Sequence, residues 1–305
     1  MAQSAAFESC LVGGGRRVAW QTFGDPDGVP IVFLHGTPGG RLSQARNARS
    51  FERQGLFVVA PERPGYGAST PAPGRKVIDF AQDVIAVLDS CGINGAMAVG
   101  GSSGGPDALA LAALAPERIS SVGVMVGAAP LTPDELTGIV GVNQQILSCV
   151  HDAERLRELV IAIRHDLLDQ GLHQVLADAP ERDRKLLAED LSQRQAALVS
   201  ALEPGIDGMV DDYRAVFGRS WGFEPEDVKV PVVWAHGNED RNVPIAAARR
   251  YADRLPQCTF LTWEGVGHSI PNDLQAEVLT AVLAAYVKQT GGLQLRTSFI
   301  DQSWR

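Results

Sequence analysis

Short apolar runs recur along this chain at spacings that leave room for a helix between most of them. They are IVFL at 31–34, LFVVA at 56–60, AMAVG at 96–100, SVGVMV at 121–126, VVWAH at 232–236 and TFLTW at 259–263. Runs this short and this apolar are strands buried on both faces. The intervening segments carry helical periodicity: VIDFAQDVIAVLDSCG has apolar residues at 77/78, 80/81, 84/85 and 88 before a glycine stop. Strand and helix in alternation require right-handed crossovers, and hence an α/β fold with a mostly parallel twisted sheet flanked by helices. Ahead of the first parallel strand, RRVAWQTFGDPDGVPIVFL carries a D-G turn signal and predicts an antiparallel strand or two at the edge. The glycine run in LVGGGRRV reads as a hairpin turn, because no strand precedes it and no G-x-G-x-x-G helix follows; it implies no nicotinamide or flavin site.

The alternation stops between about 131 and 226. There DELTGIVGVNQQILSCV, AERLRELVIAIRHDLL and ERDRKLLAEDLSQRQAALVSAL read as three amphipathic helices with no strand between them. The expected organisation is a core over 1–130, a helical lid inserted over 131–226, a second part of the core over 227–290, and a tail over 291–305. The tail, GGLQLRTSFIDQSWR, holds Leu, Phe, Ile and Trp, which would dock on the body of the protein or on a second copy in a homodimer.

With 305 residues and 45% apolar content, the chain can bury one large core. A net charge of −9 and the lack of any basic run argue against nucleic acid or an anionic membrane as the main partner. No stretch reaches the roughly 18 uninterrupted apolar residues of a membrane span. The N-terminus lacks the charged and apolar regions of a signal peptide. Cys10, Cys91, Cys149 and Cys258 are scattered, with no C-x-x-C and no metal-ligand spacing, as in reduced thiols of a cytoplasmic protein.

Ligands of an open parallel sheet bind outside the carboxyl ends of its strands. Three loops leaving such ends carry chemistry: GGSSGGPD after AMAV, AHGNEDRNVP after PVVW, and EGVGHSIPND after TFLTW. They offer Ser102 or Ser103, then Glu239 or Asp240, then His268. Serine is a weak nucleophile that needs a base, and the base needs a group to hold its other ring nitrogen. Gly-x-Ser-x-Gly fits in two registers, Gly100–Gly104 around Ser102 and Gly101–Gly105 around Ser103. In the first, Val99 still belongs to the apolar strand, but Pro106 falls at about the fourth helical residue, where its missing N–H begins to matter. The bland readings are a glycine-rich turn for the serines, a helix-initiating Asp240 and a buried structural His268.

Taken in order, these motifs resemble the α/β-hydrolase family over nearly the whole chain. HGTPGG is similar to its oxyanion loop, PERPGYGAST to its D-R-P-G-x-G-x-S loop with Glu62 in place of Asp, and GGSSGGPDALA to its nucleophile elbow. AHGNEDRNVP and GVGHSIPND resemble its acid and histidine loops, and SWGFEPEDVKVPVVWAHG its return from the lid. The resemblance implies Ser102 as nucleophile, His268 as base and Asp240 as the acid that orients it. It also implies an oxyanion hole from the backbone N–H groups of Thr37 and Ser103, with no cofactor and no metal. His35 would shape the oxyanion loop and His236 would pack at a strand end, while His151, His165 and His173 fall in the lid.

The resulting expectation is a serine hydrolase acting on an ester or related acyl bond of a small molecule. Three other activities of this fold stay open: a proline-iminopeptidase-like aminopeptidase, a lyase or cyclase, and a small-ligand receptor. The first would use lid carboxylates on a substrate amine, for which Asp134, Glu135, Asp211 and Asp212 are available.

Overall fold

The computed structural model describes residues 7–139, 141–172 and 181–291. The tail over 292–305 and His173 lie outside them. Eight strands form one sheet in the order β1-β2-β4-β3-β5-β6-β7-β8. β1 (Glu8–Val12) and β2 (Arg16–Gly24) make the expected antiparallel hairpin around the glycine turn Gly13–Gly15. β3 (Val29–Leu34), β4 (Leu56–Pro61), β5 (Ala96–Gly101), β6 (Ile119–Met125), β7 (Val232–Gly237) and β8 (Cys258–Trp263) are mutually parallel.

Successive strand residues point to opposite faces, so a strand covered on both sides must be apolar throughout. Val32 and Leu34 join Val59 and Ala98 on one face, under α2 (Val77–Ser90) and α3 (Gly104–Leu114). Ile31 and Phe33 join Val58, Met97 and Val99 on the other, against Phe51 of α1 (Ala48–Arg53). Thus β3, β4 and β5 lie at the centre of the sheet, where chain reversals are held most firmly.

Between β6 and β7 the described chain is helical, with α4 (Gly141–Cys149), α5 (Ala153–His165), α6 (Glu181–Ala188), α7 (Leu191–Leu202) and α8 (Asp207–Phe217). After β7 come α9 (Ile245–Ala252) and, after β8, α10 (Asn272–Thr290). The inserted helices have their own core: Leu156, Val160 and Ile163 of α5 pack with Ile146, Leu198, Leu202, Met209 and Tyr213. Three local expectations differ from the structure. The single helix expected over 181–202 is two, because Asp190 takes a left-handed conformation (φ 57°), which Asp tolerates better than most residues. The helix expected from Asp134 begins as a separate 3-10 turn, Glu135–Gly138, ahead of α4. Finally, α8 is a further helix beyond the three expected, and Asp211 and Asp212 are buried on it.

Asp212 is the key to how the insert sits. Its carboxylate accepts from Arg63 Nε (3.0 Å), from Arg75 Nη2, from the Tyr66 hydroxyl (2.7 Å) and from the Thr37 hydroxyl (2.5 Å). Arg63, 1% exposed, also pairs with Asp107 of α3 (2.8 Å). Burial opposes every charge in this group, yet Arg63 and Arg75 together hold the Asp212 carboxyl below its usual range.

Two consequences can be measured. A Cβ on Gly100 would overlap the carbonyl of Gly104, whereas one on Gly101 finds nothing nearer than Met125 O at 3.9 Å. Gly100→Ala is therefore expected to lose about 1–3 kcal/mol in urea unfolding, and Gly101→Ala much less. Asp212→Ala leaves two buried guanidiniums short of their counter-charge and should lose about 3–5 kcal/mol by the same assay.

Candidate active site

The turn from β5 into α3 presents Ser102 with a positive φ of 54°, a conformation that costs a residue other than glycine about 1–3 kcal/mol. Three backbone hydrogen bonds hold it there: Ser102 N–H donates to Met125 O, and Ser102 O accepts from Gly105 and Ala128 N–H, each at 3.0 Å. α3 begins at Gly104, so Pro106 is its third residue, not the fourth. An N–H there has no intrahelical acceptor in any case, and the objection to the Ser102 register disappears.

The two serines face different partners. Ser102 Oγ lies 3.1 Å from His268 Nε2, and His268 Nδ1 lies 2.7 Å from Asp240 Oδ2. A carboxylate can only accept, so Nδ1 carries the proton and Nε2 keeps its lone pair for the Ser102 hydroxyl. Ser103 Oγ is instead 2.7 Å from Thr37 Oγ1. The Thr37 proton goes to Asp212, so the Ser103 hydroxyl must donate to Thr37 and has no base of its own.

Asp240 follows β7 and is fixed by accepting from the N–H groups of Asn242 (2.8 Å) and Val243 (2.9 Å). Its neighbour Glu239 is exposed. His236, wholly buried, was expected only to pack; its Nε2 also reaches Asp240 Oδ2 at 3.4 Å and Val243 O at 3.0 Å. Burial would raise the Asp240 carboxyl, but the charge of His268 and the bonds from His236 and His268 bring it well below the usual range. Burial would likewise lower His268; the charge and hydrogen bond of Asp240, then the charge of Asp183, raise it above its ordinary value.

Two clamped peptides set the directions of the Thr37 and Ser103 N–H groups. His35 Nε2 accepts the Arg63 N–H (3.1 Å), so its Nδ1 carries the proton and donates to Gly36 O (2.8 Å). Burial and the Arg63 charge push the His35 pKa down to about 3, keeping it neutral. Arg63 Nη2 also donates to Gly36 O at 2.8 Å. In a trans peptide C=O and N–H point opposite ways, so fixing Gly36 O fixes the Thr37 N–H on the far side. Fixing Ser102 O through Gly105 and Ala128 sets the Ser103 N–H in the same manner. Among the described residues neither of these N–H groups has an acceptor.

Asp183 is the site residue that the sequence reading missed. It reaches in from α6, and its Oδ2 accepts from the N–H groups of His268 (3.0 Å) and Ser269 (3.2 Å). Its other oxygen is buried without a partner, and burial raises its pKa. Only its packing against Gly267 admits it so close, and no local pattern in the sequence announces a contact 85 residues away. The acids considered for an amine have partners of their own or lie outside the cavities, although Asp212 borders the inner one. Glu135 pairs with Arg250 and Asp212 with Arg63 and Arg75. Asp211 accepts from the Gly74 N–H, and Asp134 lies outside the cavities described next.

Two joined cavities meet at Thr37, Asp183, Tyr213 and His268. The inner one, about 270 Å³, contains Ser102 and is walled by Ile146, Leu147, Leu187, Val216 and Phe217. The outer one, about 730 Å³, opens between the segment after the Thr37 loop and helices α5 and α7.

Comparison with known proteins agrees with this architecture. The chain is 27% identical over 282 residues to a non-heme chloroperoxidase of Streptomyces lividans, covering 90% of this chain and 97% of the relative. It is 23% identical over 285 residues to a bifunctional esterase/perhydrolase of Acinetobacter calcoaceticus, covering 90% and 97%. Among solved structures it is similar to a bromoperoxidase of Bacillus anthracis, with a TM-score of 0.69 at 19% identity over 93% of this chain and all of that one. A family model described as alpha/beta hydrolase fold matches residues 29–271, and the chain belongs to that family.

Proposed function

We propose that this protein is a serine hydrolase that cleaves an ester or related acyl bond of a small molecule, with Ser102 as nucleophile, His268 as base and Asp240 as the acid. The observation that carries the reading is the chain of hydrogen bonds from Ser102 Oγ through His268 to Asp240, at 3.1 and 2.7 Å. Every step draws on the chain's own groups. His268 Nε2 takes the Ser102 proton as Oγ attacks the carbonyl carbon. Negative charge developing on the carbonyl oxygen meets the N–H groups of Thr37 and Ser103, held in place beforehand and so requiring no reorganisation. His268 then protonates the departing alcohol, and water, activated by the same nitrogen, releases the acid from Ser102. Asp240 keeps the imidazole in the required tautomer and stabilises its charged form.

The inserted helices serve in this reading as a lid, since α4, α6 and α8 supply most of the apolar wall around Ser102. The esterase activity in the name of the Acinetobacter relative supports an ester as the bond acted on. Of the carboxylates weighed for a substrate amine, Asp212, Glu135 and Asp211 are bound within the protein, which leaves Asp183 with one unpartnered oxygen at the cavities.

Two measurements test the proposal. A fluorophosphonate probe should label Ser102, located by peptide mass mapping, and Ser102→Ala should lower ester hydrolysis by about 10⁴-fold or more. A label on Ser103, or undiminished hydrolysis by the variant, would refute it. The neutral imidazole is the active form, and its pKa is raised, so kcat/KM should climb with pH through a value above the ordinary ~6.5 of histidine. Asp183→Asn removes one of the charges that raise it and should move that limb to lower pH.

A further inference from the structure

The outer cavity carries an electrostatic feature that catalysis at Ser102 does not require. Arg46, at the end of the segment Arg41–Asn47, and Arg194, on α7, are half-buried in its wall, and Arg241 stands exposed at its rim. Several arginines of the described chain are paired with carboxylates, among them Arg16 with Asp83, Arg63 with Asp212, Arg118 with Asp89, Arg250 with Glu135 and Arg254 with Glu224. Among the described residues, Arg46, Arg194 and Arg241 form no ion pair. Arg46 donates only to the neutral Asn272 Oδ1 (3.2 Å), and Arg194 only to the carbonyl of Glu189 (3.1 Å).

Two guanidiniums in a partly dehydrated wall without a counter-ion repel each other. Burial, then the charge of Arg46, pulls the Arg194 pKa down to about 10, and burial lowers Arg46 as well. The charges of Glu189 and Asp190 offset this in part, but among the described residues neither carboxylate forms an ion pair with Arg46 or Arg194. Of the wall's own carboxylates, Asp166 already accepts from Gln170 Nε2 (3.0 Å) and Asp183 from the His268 and Ser269 N–H groups. Each guanidinium therefore keeps most of its five donors unused, in a fork geometry that suits a carboxylate.

Resting on the hydrolase reading above, we infer that Arg46 and Arg194 form an anion subsite, and that the substrates are esters bearing a carboxylate several bonds from the scissile carbonyl. The uncharged part of such a molecule lies against Ile146, Leu147 and Phe217 in the inner cavity, while its carboxylate extends into the outer one. The acid produced by cleavage leaves through the same positively charged mouth.

The test separates binding from turnover. Hydrolysis of 4-nitrophenyl butyrate by the wild type reports on the hydrolase reading alone. Calorimetry on the Ser102→Ala protein with monomethyl suberate and with dimethyl suberate reports on the anion subsite, whether or not turnover occurs. The mono-acid is expected to bind about ten-fold tighter or more, with the preference falling as salt is raised. That ratio should collapse towards one when Arg46→Gln and Arg194→Gln are added. Equal affinity for the two esters, tighter binding of the dimethyl ester, no binding of either, or a ratio untouched by the arginine substitutions would overturn the inference. If the combined variant fails to fold, Arg194→Gln alone together with the salt dependence decides the matter. A melting temperature of Arg194→Gln at or above that of its parent is expected, since a structural arginine would lower it and relief of repulsion does not.

Discussion

A guanidinium with almost no contact with water organises this molecule. Arg63 leaves the end of β4 and is neutralised from two directions, by Asp107 on the helix that follows the nucleophile turn and by Asp212 on the last inserted helix. With the charge balanced, its remaining donors reach the carbonyls of His35 and Gly36. One side chain thereby joins three separate stretches of chain to the loop that carries the Thr37 N–H. A buried ionic cluster contributes little net stability, but each member is costly to remove alone, which keeps the geometry single-valued. The proposed role of the Thr37 N–H needs this: an N–H aimed at a developing charge works only if it is already in place.

The central strands and the turns at their ends could be read from the sequence because the same residues determine fold and chemistry there. IVFL, AMAVG and VVWAH are strands because they are apolar on both faces, and the loops that follow them cannot avoid the carboxyl edge of the sheet. Ser102, Asp240 and His268 were legible for that reason, and the structure brings the three together. Pro106 looked troublesome only while the start of α3 was unknown.

What escaped the sequence shares a different origin. Asp183 and Asp212 act through contacts made across 85 and 149 residues, and a carboxylate on a helix of mixed polarity gives no sign that it faces inward. In α8 the partners of the two adjacent aspartates, the Gly74 N–H for Asp211 and Arg63 and Arg75 for Asp212, sit in another part of the chain. The division of the helix over 181–202 at Asp190 is a backbone choice that hydrophobic period cannot register. Sequence periodicity reports what a segment does alone, and these features exist only between segments.

The position of Asp212 also redraws the boundary of the insert. By chain order α8 belongs with the helices between β6 and β7, but electrically it belongs to the sheet, since its carboxylate is bound to Arg63, Arg75, Tyr66 and Thr37. The Thr37 loop is thus supported by two inserted helices, by α8 through Asp212 and by α7 through Ala201, which packs against Gly40. For anyone exchanging segments among relatives, a junction before Leu191 keeps both of these supports in place, though a segment that includes α6 also replaces Asp183 against His268. A graft that carried a foreign α8 across would change the lining of the inner cavity and remove the anchor of the Thr37 loop in the same step.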